Sequence, residues 1–307
     1  MGKTFFREAK ENIFNQKDEN LEERSNIAKR DLDITQKYFP EYIDEMRGYA
    51  DGAGVSFFDL WAVSIDNDTK LKNSEHKCTS IITNEGKLVG HNEDNNKSGL
   101  ENTICLVKKT LKDLTIFEIF YYSTLGGNAV GINSYGYVNA INTLEFTDTK
   151  NGIPKNILAR YLAETNNPIK GINKIKNLPR ASGYNYNIVN KNGEILNIEV
   201  TQNDISMIYP ASPFVHSNHR LLNPSLDISD KGGTISRLEF AQKIVKNNMT
   251  VDELIELQSD TSNGPDKSLF NERTIAQFIV DFNKRKAKVW LLREKELGWV
   301  DYPLDFI

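Results

Sequence analysis

One of the two cysteines of this chain, Cys78, stands where its side chain could act as a nucleophile. It lies in NSEHKCTSIITNEGKLVGHNEDNN, residues 73–96, after five polar residues and before an apolar pair. A free cysteine in a strand-like run is usually a small buried hydrophobe. A cysteine at a new amino terminus, however, supplies both a thiol and an α-amino group, and the two titrate close enough for the amine to take the thiol proton. If the chain is cut before Cys78, no histidine is required.

The histidines do not favour a metal site. His216 and His219 have HxxH spacing, which places two side chains on one face only in a helix, whereas YPASPF before them indicates an extended chain. His76 and Cys78 are two residues apart in a strand, so that their Cα atoms are about 6.6 Å apart, a poor geometry for a base. We therefore expect no bound metal.

Composition limits the class of protein. The chain has 307 residues, 39% of them apolar, enough for one large globular domain or two small ones. A net charge of -4 does not favour nucleic acid as a partner. The start, MGKTFFREAKENIFNQKDEN, lacks the apolar core and cleavage site of a secretion signal, and two cysteines without metal-ligand spacing fit a reducing compartment. We expect a cytoplasmic protein with no membrane partner.

The pattern of apolar residues changes once along the chain. From about residue 20 to residue 65 it is helical, with Ser56 as a candidate helix N-cap. After Cys78 it consists of short β-rich runs separated by turns, one of which is expected over residues 90–96. Helices return at residues 154–164 and 236–245, and a hairpin is predicted from TIAQFIVDF and KVWLLRE. This order indicates sheets layered against helices.

Several motifs, taken in their order, resemble one enzyme family. YIDEMRGYADGAGVSFFDLWAVSI is similar to a helical prosegment, CTS to a nucleophile, GHNEDNN to the turn after it, and GINSYGYVNAINTL to a glycine hairpin. ASGYNYNIVNKNGEILNIEVT and HSNHRL are similar to a later strand pair and an Asn-His signature, so the likeness covers most of residues 38–245. The family is the acyl-coenzyme A:6-aminopenicillanic acid acyltransferase, or isopenicillin-N acyltransferase-like, group of self-cleaving N-terminal nucleophile hydrolases. Similarity to the bile-salt hydrolase and penicillin V acylase group is weaker.

The resemblance implies a fold and a division of the chain. The fold is α+β, an αββα sandwich of two antiparallel sheets covered by helices, in which Cys78 starts a central strand. Residues 1–77 correspond to a helical prosegment or α-subunit, and residues 78–307 to the N-terminal nucleophile hydrolase β-subunit. The bond to be cleaved joins Lys77 to Cys78, although some relatives have glycine in place of Lys77.

The resemblance also implies catalytic roles. Cys78 corresponds to the nucleophile. Asp94 corresponds to a carboxylate that holds the new α-ammonium group, and the alternative role for Asp94 is a turn cap. Asn218 corresponds to a donor to the oxyanion, and Asn142 to a second such amide. For Asn218 the alternative is a turn asparagine, and for Asn142 a strand asparagine that faces solvent.

Two arginines and a histidine match the family less cleanly. Arg273 precedes its strand as the family's catalytic arginine does, but the cysteine expected beside it is absent. Arg237, in GGTISRLEFA, matches a family helix and is expected to support the site from behind. His91 stands where related acylases often carry arginine, and we expect it to bind an edge of the substrate.

These features predict an autoproteolytically activated cysteine amidohydrolase or acyltransferase. It would act on a small N-acyl amide or thioester through an acyl-enzyme, with hydrolysis favoured over transfer. No cofactor is expected; the small-molecule substrate is the expected partner, and homo-oligomerisation is left open. The alternative is an uncleaved, non-catalytic relative that serves as a binding or scaffold protein, which Lys77 and the absent cysteine would suit.

Overall fold

A computed structural model describes residues 21–65, 78–95, 103–145, 150–224 and 231–307 of the chain. The first described segment forms three helices, α1 (Leu21–Tyr38), α2 (Pro40–Ala53) and α3 (Phe57–Ser64). Pro40 starts α2 with a preset φ, and Gly54 ends it in the left-handed conformation at φ 65°. The Ser56 side chain accepts the Asp59 N–H and caps α3, as predicted.

The strands of the described chain form two sheets in which every neighbouring pair is antiparallel. The strands are β1 (Thr79–Thr83), β2 (Leu88–Asp94), β3 (Ile104–Leu111), β4 (Leu114–Tyr121), β5 (Val130–Asn133), β6 (Tyr137–Thr143), β7 (Tyr184–Asn190), β8 (Ile195–Val200), β9 (Ile205–Ile208), β10 (Phe214–His216), β11 (Thr274–Asp281), β12 (Lys286–Leu291) and β13 (Val300–Pro303). The six-stranded sheet has the order β10-β1-β2-β11-β12-β13, and the seven-stranded sheet runs in sequence from β3 to β9. The predicted hairpin near the end is β11 and β12.

Within the described residues, four more α-helices follow the first strands. They are α4 (Lys155–Ala163), α5 (Pro168–Lys176), α6 (Lys231–Ile244) and α7 (Val251–Gln258). A capping box between Thr250 and Glu253 starts α7, each residue's side chain accepting the other's backbone N–H.

Three clusters of buried apolar residues define the layers. One packs α1 to α5 against the outer face of the seven-stranded sheet, with Tyr186 and Ile198 on the sheet side. A second lies between the two sheets and includes Val89 and Val138. The third packs α6 and α7 against the outer face of the six-stranded sheet, around Ile279. The order helix, sheet, sheet, helix confirms the predicted αββα sandwich.

The space between the sheets is apolar at one end and polar at the other. Paired residues of antiparallel neighbours share a face, so the register shows which residues point inward. At the apolar end Val138 pairs with Val189, and Val189 with Ile195. The buried inward positions at the polar end are Cys78, Ser80, His91, Glu93, Asn142, Asn185, Asn187, Asn197, Glu199 and His216.

The apolar end is closed by two hairpin turns, one from each sheet. Gly86 in the β1–β2 turn and Gly193 in the β7–β8 turn both have positive φ, 77° and 96°. A Cβ on Gly86 would lie 2.2 Å from the Gly193 carbonyl oxygen, and a Cβ on Gly193 would lie 2.1 Å from the Glu85 carbonyl oxygen. Lys87 Nζ donates to the Lys191 carbonyl oxygen at 2.7 Å. The two turns are therefore in backbone contact.

The structure corrects the predicted turn over residues 90–96. β2 continues through this segment to Asp94, paired with β1 on one side and β11 on the other, and all seven of its residues are buried. The helices α5 and α7 lie where sequence analysis predicted none. No helix among the described residues is both long and apolar enough to cross a membrane.

Candidate active site

Cys78 immediately precedes β1, a strand held between β10 and β2. Strand alternation places its side chain on the inward face that it shares with Ser80 and Ile82. Only 2% of the residue is exposed. The thiol therefore belongs to the polar end of the space between the sheets.

Two opposing sets of groups act on this thiol. Burial raises the pKa of Cys78 well above its ordinary value, and Glu93 and Asp94 raise it further. A hydrogen bond from the Asp94 backbone N–H and the Arg237 guanidinium lower this pKa. Burial is the largest of these effects, so the thiol is held in its protonated form.

Arg237, on α6, connects Cys78 to Asn218. The side chain is fully buried. Nη1 donates to the Cys78 carbonyl oxygen at 2.9 Å and to Thr79 Oγ1 at 2.6 Å, while Nη2 donates to Asn218 Oδ1 at 2.9 Å. The planar guanidinium thus fixes the first residues of β1 relative to the segment after β10.

Asn218 follows β10 and is held at three atoms. Its backbone N–H donates to Thr234 Oγ1 at 2.8 Å, and its Oδ1 accepts from Arg237. This contact fixes the side-chain orientation, because guanidinium can only donate. Nδ2 donates to the Thr143 carbonyl oxygen at 3.0 Å, which uses one of its two protons.

Asn142 is fully buried, which excludes the alternative of a strand asparagine that faces solvent. Its Oδ1 accepts from Asn187 Nδ2 at 2.7 Å and from Ser80 Oγ at 3.0 Å. Its Nδ2 is buried and has no hydrogen-bond partner among the described residues. A buried donor left unpaired costs about 1–3 kcal/mol, a cost that a ligand oxygen in this position would remove.

His91 lies deeper than a substrate-binding residue would. It is fully buried, with Nδ1 3.0 Å from Ser80 Oγ and Nε2 2.8 Å from Glu93 Oε2. Glu93 Oε1 accepts a hydrogen bond of 2.6 Å from Tyr121. Both ring nitrogens are therefore engaged inside the protein.

Among the residues that the structure describes, one group brings three atoms of the metal-ligating type within 4.8 Å of one another: Cys78, His91 and Glu93. His91 and Glu93 already satisfy each other, and Ser80 occupies the second ring nitrogen, so we interpret the group as a hydrogen-bonded chain rather than a metal centre. His219 Nδ1 lies 3.0 Å from Thr234 Oγ1, apart from this group.

Asp94, at the end of β2, is a buried carboxylate with two neutral donors. Thr274 Oγ1 donates to Oδ1 at 2.7 Å, and Asn271 Nδ2 donates to Oδ2 at 2.6 Å. Burial raises the pKa of Asp94 to about 6, although Arg237 and the two hydrogen bonds oppose this rise. The carboxylate is close enough to Cys78 to act on its pKa.

Arg273 precedes β11, and its guanidinium binds Asp266 rather than Cys78. Nη2 lies 3.2 Å from Asp266 Oδ1, and the side chain is partly exposed. Its backbone carbonyl oxygen accepts the Asn95 N–H at 3.0 Å. Of the two arginines considered from the sequence, Arg237 is the one in contact with Cys78. Lys77, and with it the Lys77–Cys78 bond, lies outside the described residues.

A cavity of about 150 Å³ opens beside this site. Its wall is mostly polar and includes Glu93, Tyr121 and Thr143 from the sheets. Val63 and Ser64, at the end of α3, form part of the same wall. The first helical segment therefore contributes directly to the space next to the thiol cluster.

The chain matches the family of acyl-coenzyme A:6-aminopenicillanic acid acyl-transferases over residues 82–296, more than two thirds of its length. It belongs to this family, as the sequence motifs predicted.

Among characterised proteins, the chain is 28% identical over 162 residues to the beta-alanyl-dopamine/carcinine hydrolase of Drosophila melanogaster. The match spans 46% of this chain and 42% of that relative, which is less than half of the length of either protein.

Solved structures show more distant similarity. The penicillin V acylase from Agrobacterium tumefaciens has a TM-score of 0.46 and 12% identity, covering 70% of this chain and 83% of that one. The conjugated bile acid hydrolase from Clostridium perfringens has a TM-score of 0.47 and 12% identity, covering 75% of this chain and 92% of that one. Similarity at this level does not transfer the role of any residue.

Sequence analysis did not single out three residues that the structure places in the cluster: Ser80, Glu93 and Asn187. A signal for them exists in the strands themselves. In YNYNIVN the aromatic and apolar residues alternate with asparagines, which indicates a strand whose polar side is also covered. Read in this way, Asn185 and Asn187 are inward residues.

Proposed function

We propose that this chain is an N-terminal nucleophile hydrolase that cuts its own Lys77–Cys78 bond and then hydrolyses a small N-acyl amide through a thioester on Cys78. The main support is the position of one buried thiol at the start of a central strand, within 4.8 Å of acid–base groups and linked by Arg237 to Asn218. Membership of an acyltransferase family supports the same chemistry.

In this mechanism the cut converts the backbone nitrogen of Cys78 into a free amine. The amine takes the thiol proton, and the Asp94 carboxylate balances the charge of the resulting ammonium. The thiolate attacks the carbonyl carbon of the substrate, and the ammonium returns its proton to the leaving amine. Water, deprotonated by the free amine, then hydrolyses the thioester and restores the thiol.

The oxyanion that forms at each tetrahedral step needs preorganised donors. Asn142 Nδ2, which is buried and unpaired among the described residues, and the second proton of Asn218 Nδ2 are the donors that we assign. Losing one such donor costs about 2.7–4 kcal/mol of transition-state stabilisation in other acyl-transfer enzymes.

The substrate that we propose is a small, polar N-acyl amine. The cavity of about 150 Å³ with a polar wall suits a short acyl chain better than a long hydrocarbon. The Drosophila relative is named as a hydrolase of beta-alanyl-dopamine and carcinine, so N-β-alanyl amides are the first compounds to test. Hydrolysis is favoured over transfer by the same relative.

Intact-mass spectrometry of the purified protein tests the cut. We expect the native chain to give fragments 1–77 and 78–307, Cys78→Ala to give one intact chain, and Cys78→Ser to be cut slowly, because a hydroxyl is the weaker nucleophile and leaving group. Cys105→Ala is the matched control, a half-buried thiol on β3, and should be cut like the native chain. A native chain that is folded yet stays whole would remove the base from the mechanism and favour a non-catalytic scaffold.

Acid quenching during turnover tests the thioester. With an N-β-alanyl amide or a related small thioester, the 78–307 fragment should gain the mass of the acyl group minus one hydrogen. A cut protein that binds these compounds but never gains mass would contradict the acyl-enzyme.

A further inference from the structure

The self-cleavage step needs a base that the mature mechanism does not supply. Before the cut, the backbone nitrogen of Cys78 belongs to a peptide bond, and resonance leaves it without basic character. The thiol is buried and held protonated. Some other group must take its proton before the first cut.

The structure brings one acid–base pair to the thiol. Ligand-type atoms of Cys78, His91 and Glu93 all lie within 4.8 Å of one another, and all three residues are buried. The 2.8 Å contact between His91 Nε2 and Glu93 Oε2 holds one shared proton, since a carboxylate can only accept. Hydrogen bonds of catalytic groups are often longer before the reaction begins than during it. A separation of up to 4.8 Å between the thiol and the pair is therefore compatible with proton transfer.

A hydroxyl on the far side of the ring allows this pair to gain and lose a proton. Ser80 Oγ lies 3.0 Å from His91 Nδ1 and 3.0 Å from Asn142 Oδ1, and it has one proton for the two acceptors. When His91 is neutral, Ser80 donates to Nδ1, and Asn142 Oδ1 still accepts from Asn187. When His91 is protonated at both nitrogens, Nδ1 donates to Ser80 Oγ, and the hydroxyl turns to Asn142. Both protonation states of the ring are therefore fully hydrogen-bonded, and they differ by one proton on Nδ1 and by the direction of the Ser80 hydroxyl.

We propose that the His91–Glu93 pair is the general base, and then the general acid, of self-cleavage, with Ser80 as the residue that positions it. This inference rests on the proposed function, because it concerns the same cut. The thiol proton passes to a lone pair of the Glu93 carboxylate that accepts from neither His91 nor Tyr121, and the sulfur attacks the Lys77 carbonyl carbon to form a C–S bond. The pair returns a proton to the Cys78 nitrogen as the C–N bond breaks. The products are a thioester and a free α-amine, and water then cleaves the thioester, giving the Lys77 carboxyl group and the Cys78 thiol.

Other charged groups around the thiol are less suited to this role. Asp94 follows Glu93 on β2, so strand alternation places its side chain on the opposite face of the sheet from Glu93 and His91. Arg237 can only donate. Tyr121 faces Glu93 from β4 and has a pKa raised well above its ordinary value by burial and by Glu93, so it remains protonated.

The test follows cleavage of the full chain in cell-free synthesis, with pulse labelling and samples resolved by mass. We expect Glu93→Gln and His91→Gln each to slow the cut by about 100-fold or more, since a positioned base contributes at least this factor. Ser80→Ala should slow it less, because water can replace part of the hydroxyl. The matched control is Glu118→Gln, which removes another buried carboxylate, one paired with Lys109 rather than with the thiol cluster.

The pH dependence separates loss of a base from a structural defect. In both glutamine variants the rate of cleavage should rise about tenfold per pH unit, because only the thiolate fraction can react. The native chain should show a weaker dependence. A variant that is folded by circular dichroism and slow at every pH to the same extent would assign these residues a purely structural role.

The outcomes also separate this inference from the proposed function. If the native chain is cut and Glu93→Gln is cut at the native rate with the native pH dependence, the pair is not the base, but the proposed function stands. If the folded native chain is never cut, the proposed function fails and this inference fails with it.

Discussion

At the scale of single residues, the most informative feature of the site is the Asn142 side-chain amide, whose oxygen and nitrogen differ in their hydrogen bonding. The oxygen of Asn142 lies within hydrogen-bond distance of Asn187 Nδ2 and Ser80 Oγ, and its nitrogen makes no hydrogen bond with the described residues. Asn187, which fixes this orientation, is itself fixed by Asn197 Nδ2 at 2.9 Å and by the Ala140 carbonyl oxygen at 3.0 Å. A row of buried amides thus presents one donor in advance of the substrate.

For this reason we predict that Asn142→Ala lowers kcat of the cut protein by about 100- to 1000-fold with little change in KM. The control is Asn185→Ala, which removes an equally buried amide whose Nδ2 donates to the Ile198 carbonyl oxygen and which is no donor assigned to the oxyanion. Steady-state kinetics with an N-β-alanyl amide measures both. A change confined to KM would place Asn142 in substrate binding instead.

The raised pKa of Asp94 leads to a second prediction, which concerns the stability of the folded chain. Its pKa is about 6 in the folded chain against 3.8 for an ordinary aspartate, so the folded state binds this proton more tightly than the unfolded state. The free energy of unfolding should therefore fall as pH rises through this window, by about 3 kcal/mol in all, and stay level above it.

The measurement compares Cys78→Ala with Cys78→Ala/Asp94→Asn, since both chains should remain uncut. Denaturant titrations at a series of pH values should show this decline in the first protein and not in the second. Parallel curves for the two proteins would mean that Asp94 has an ordinary pKa.

At the scale of elements, the spacing of apolar residues predicted the strands and helices that bury an apolar face. The helical character of residues 20–65, the Ser56 cap, the strand after Cys78 and the hairpin of β11 and β12 follow from local patterns. β2 was predicted to end too early because HNED is polar, and polarity normally indicates exposure. Here these residues are buried, and one of the two strands that pair with them, β11, is distant in the sequence. The same long-range contact explains why Glu93 was not predicted as a site residue, whereas Cys78 was predicted from the family motifs around it.

Because the two hairpin turns are in backbone contact, we expect the addition of one methyl group in this contact to lower the stability of the protein strongly. Gly193→Ala should destabilise the protein by more than Gly264→Ala, although both glycines have positive φ, 96° and 83°. A Cβ at Gly193 would collide with the Glu85 carbonyl oxygen, whereas a Cβ at Gly264 meets no atom within 4 Å. Gly264→Ala carries only the conformational cost of about 1 kcal/mol.

Chemical denaturation of the two variants, each compared with the native chain, gives the difference directly. Equal losses of stability would show that the two turns move apart freely. Such a result would also mean that the backbone contact adds nothing to the pairing of the sheets.

At the scale of the whole molecule, the first helical segment is part of the core. Trp61 is fully buried, and its Nε1 donates to the Ala28 carbonyl oxygen at 2.8 Å. Asn156 Nδ2, on α4, donates to the Ser64 carbonyl oxygen at 2.6 Å. The Asp31 carboxylate accepts the Gly152 N–H at 2.8 Å. The second and third of these contacts, to Ser64 and to Asp31, join residues on the two sides of the proposed cut.

We therefore predict that fragments 1–77 and 78–307 remain together after cleavage. They should elute as one species in size-exclusion chromatography under native conditions and separate only in denaturant. The uncut Cys78→Ala protein gives the reference elution volume. Separate elution at micromolar concentration would show that the first segment is a detachable prosegment.

The apolar cluster shared by α1 to α5 and the seven-stranded sheet has a consequence for the lifetime of such an enzyme. The precursor folds as one chain, in a reaction that does not depend on concentration. After the proposed cut, the same core would be built from two chains, and once these diffused apart their return would be bimolecular, with each piece exposing apolar surface in the meantime. Unfolding of the cut protein would then be irreversible in practice. The rate of unfolding, rather than an equilibrium, would decide how long the cut protein stays folded.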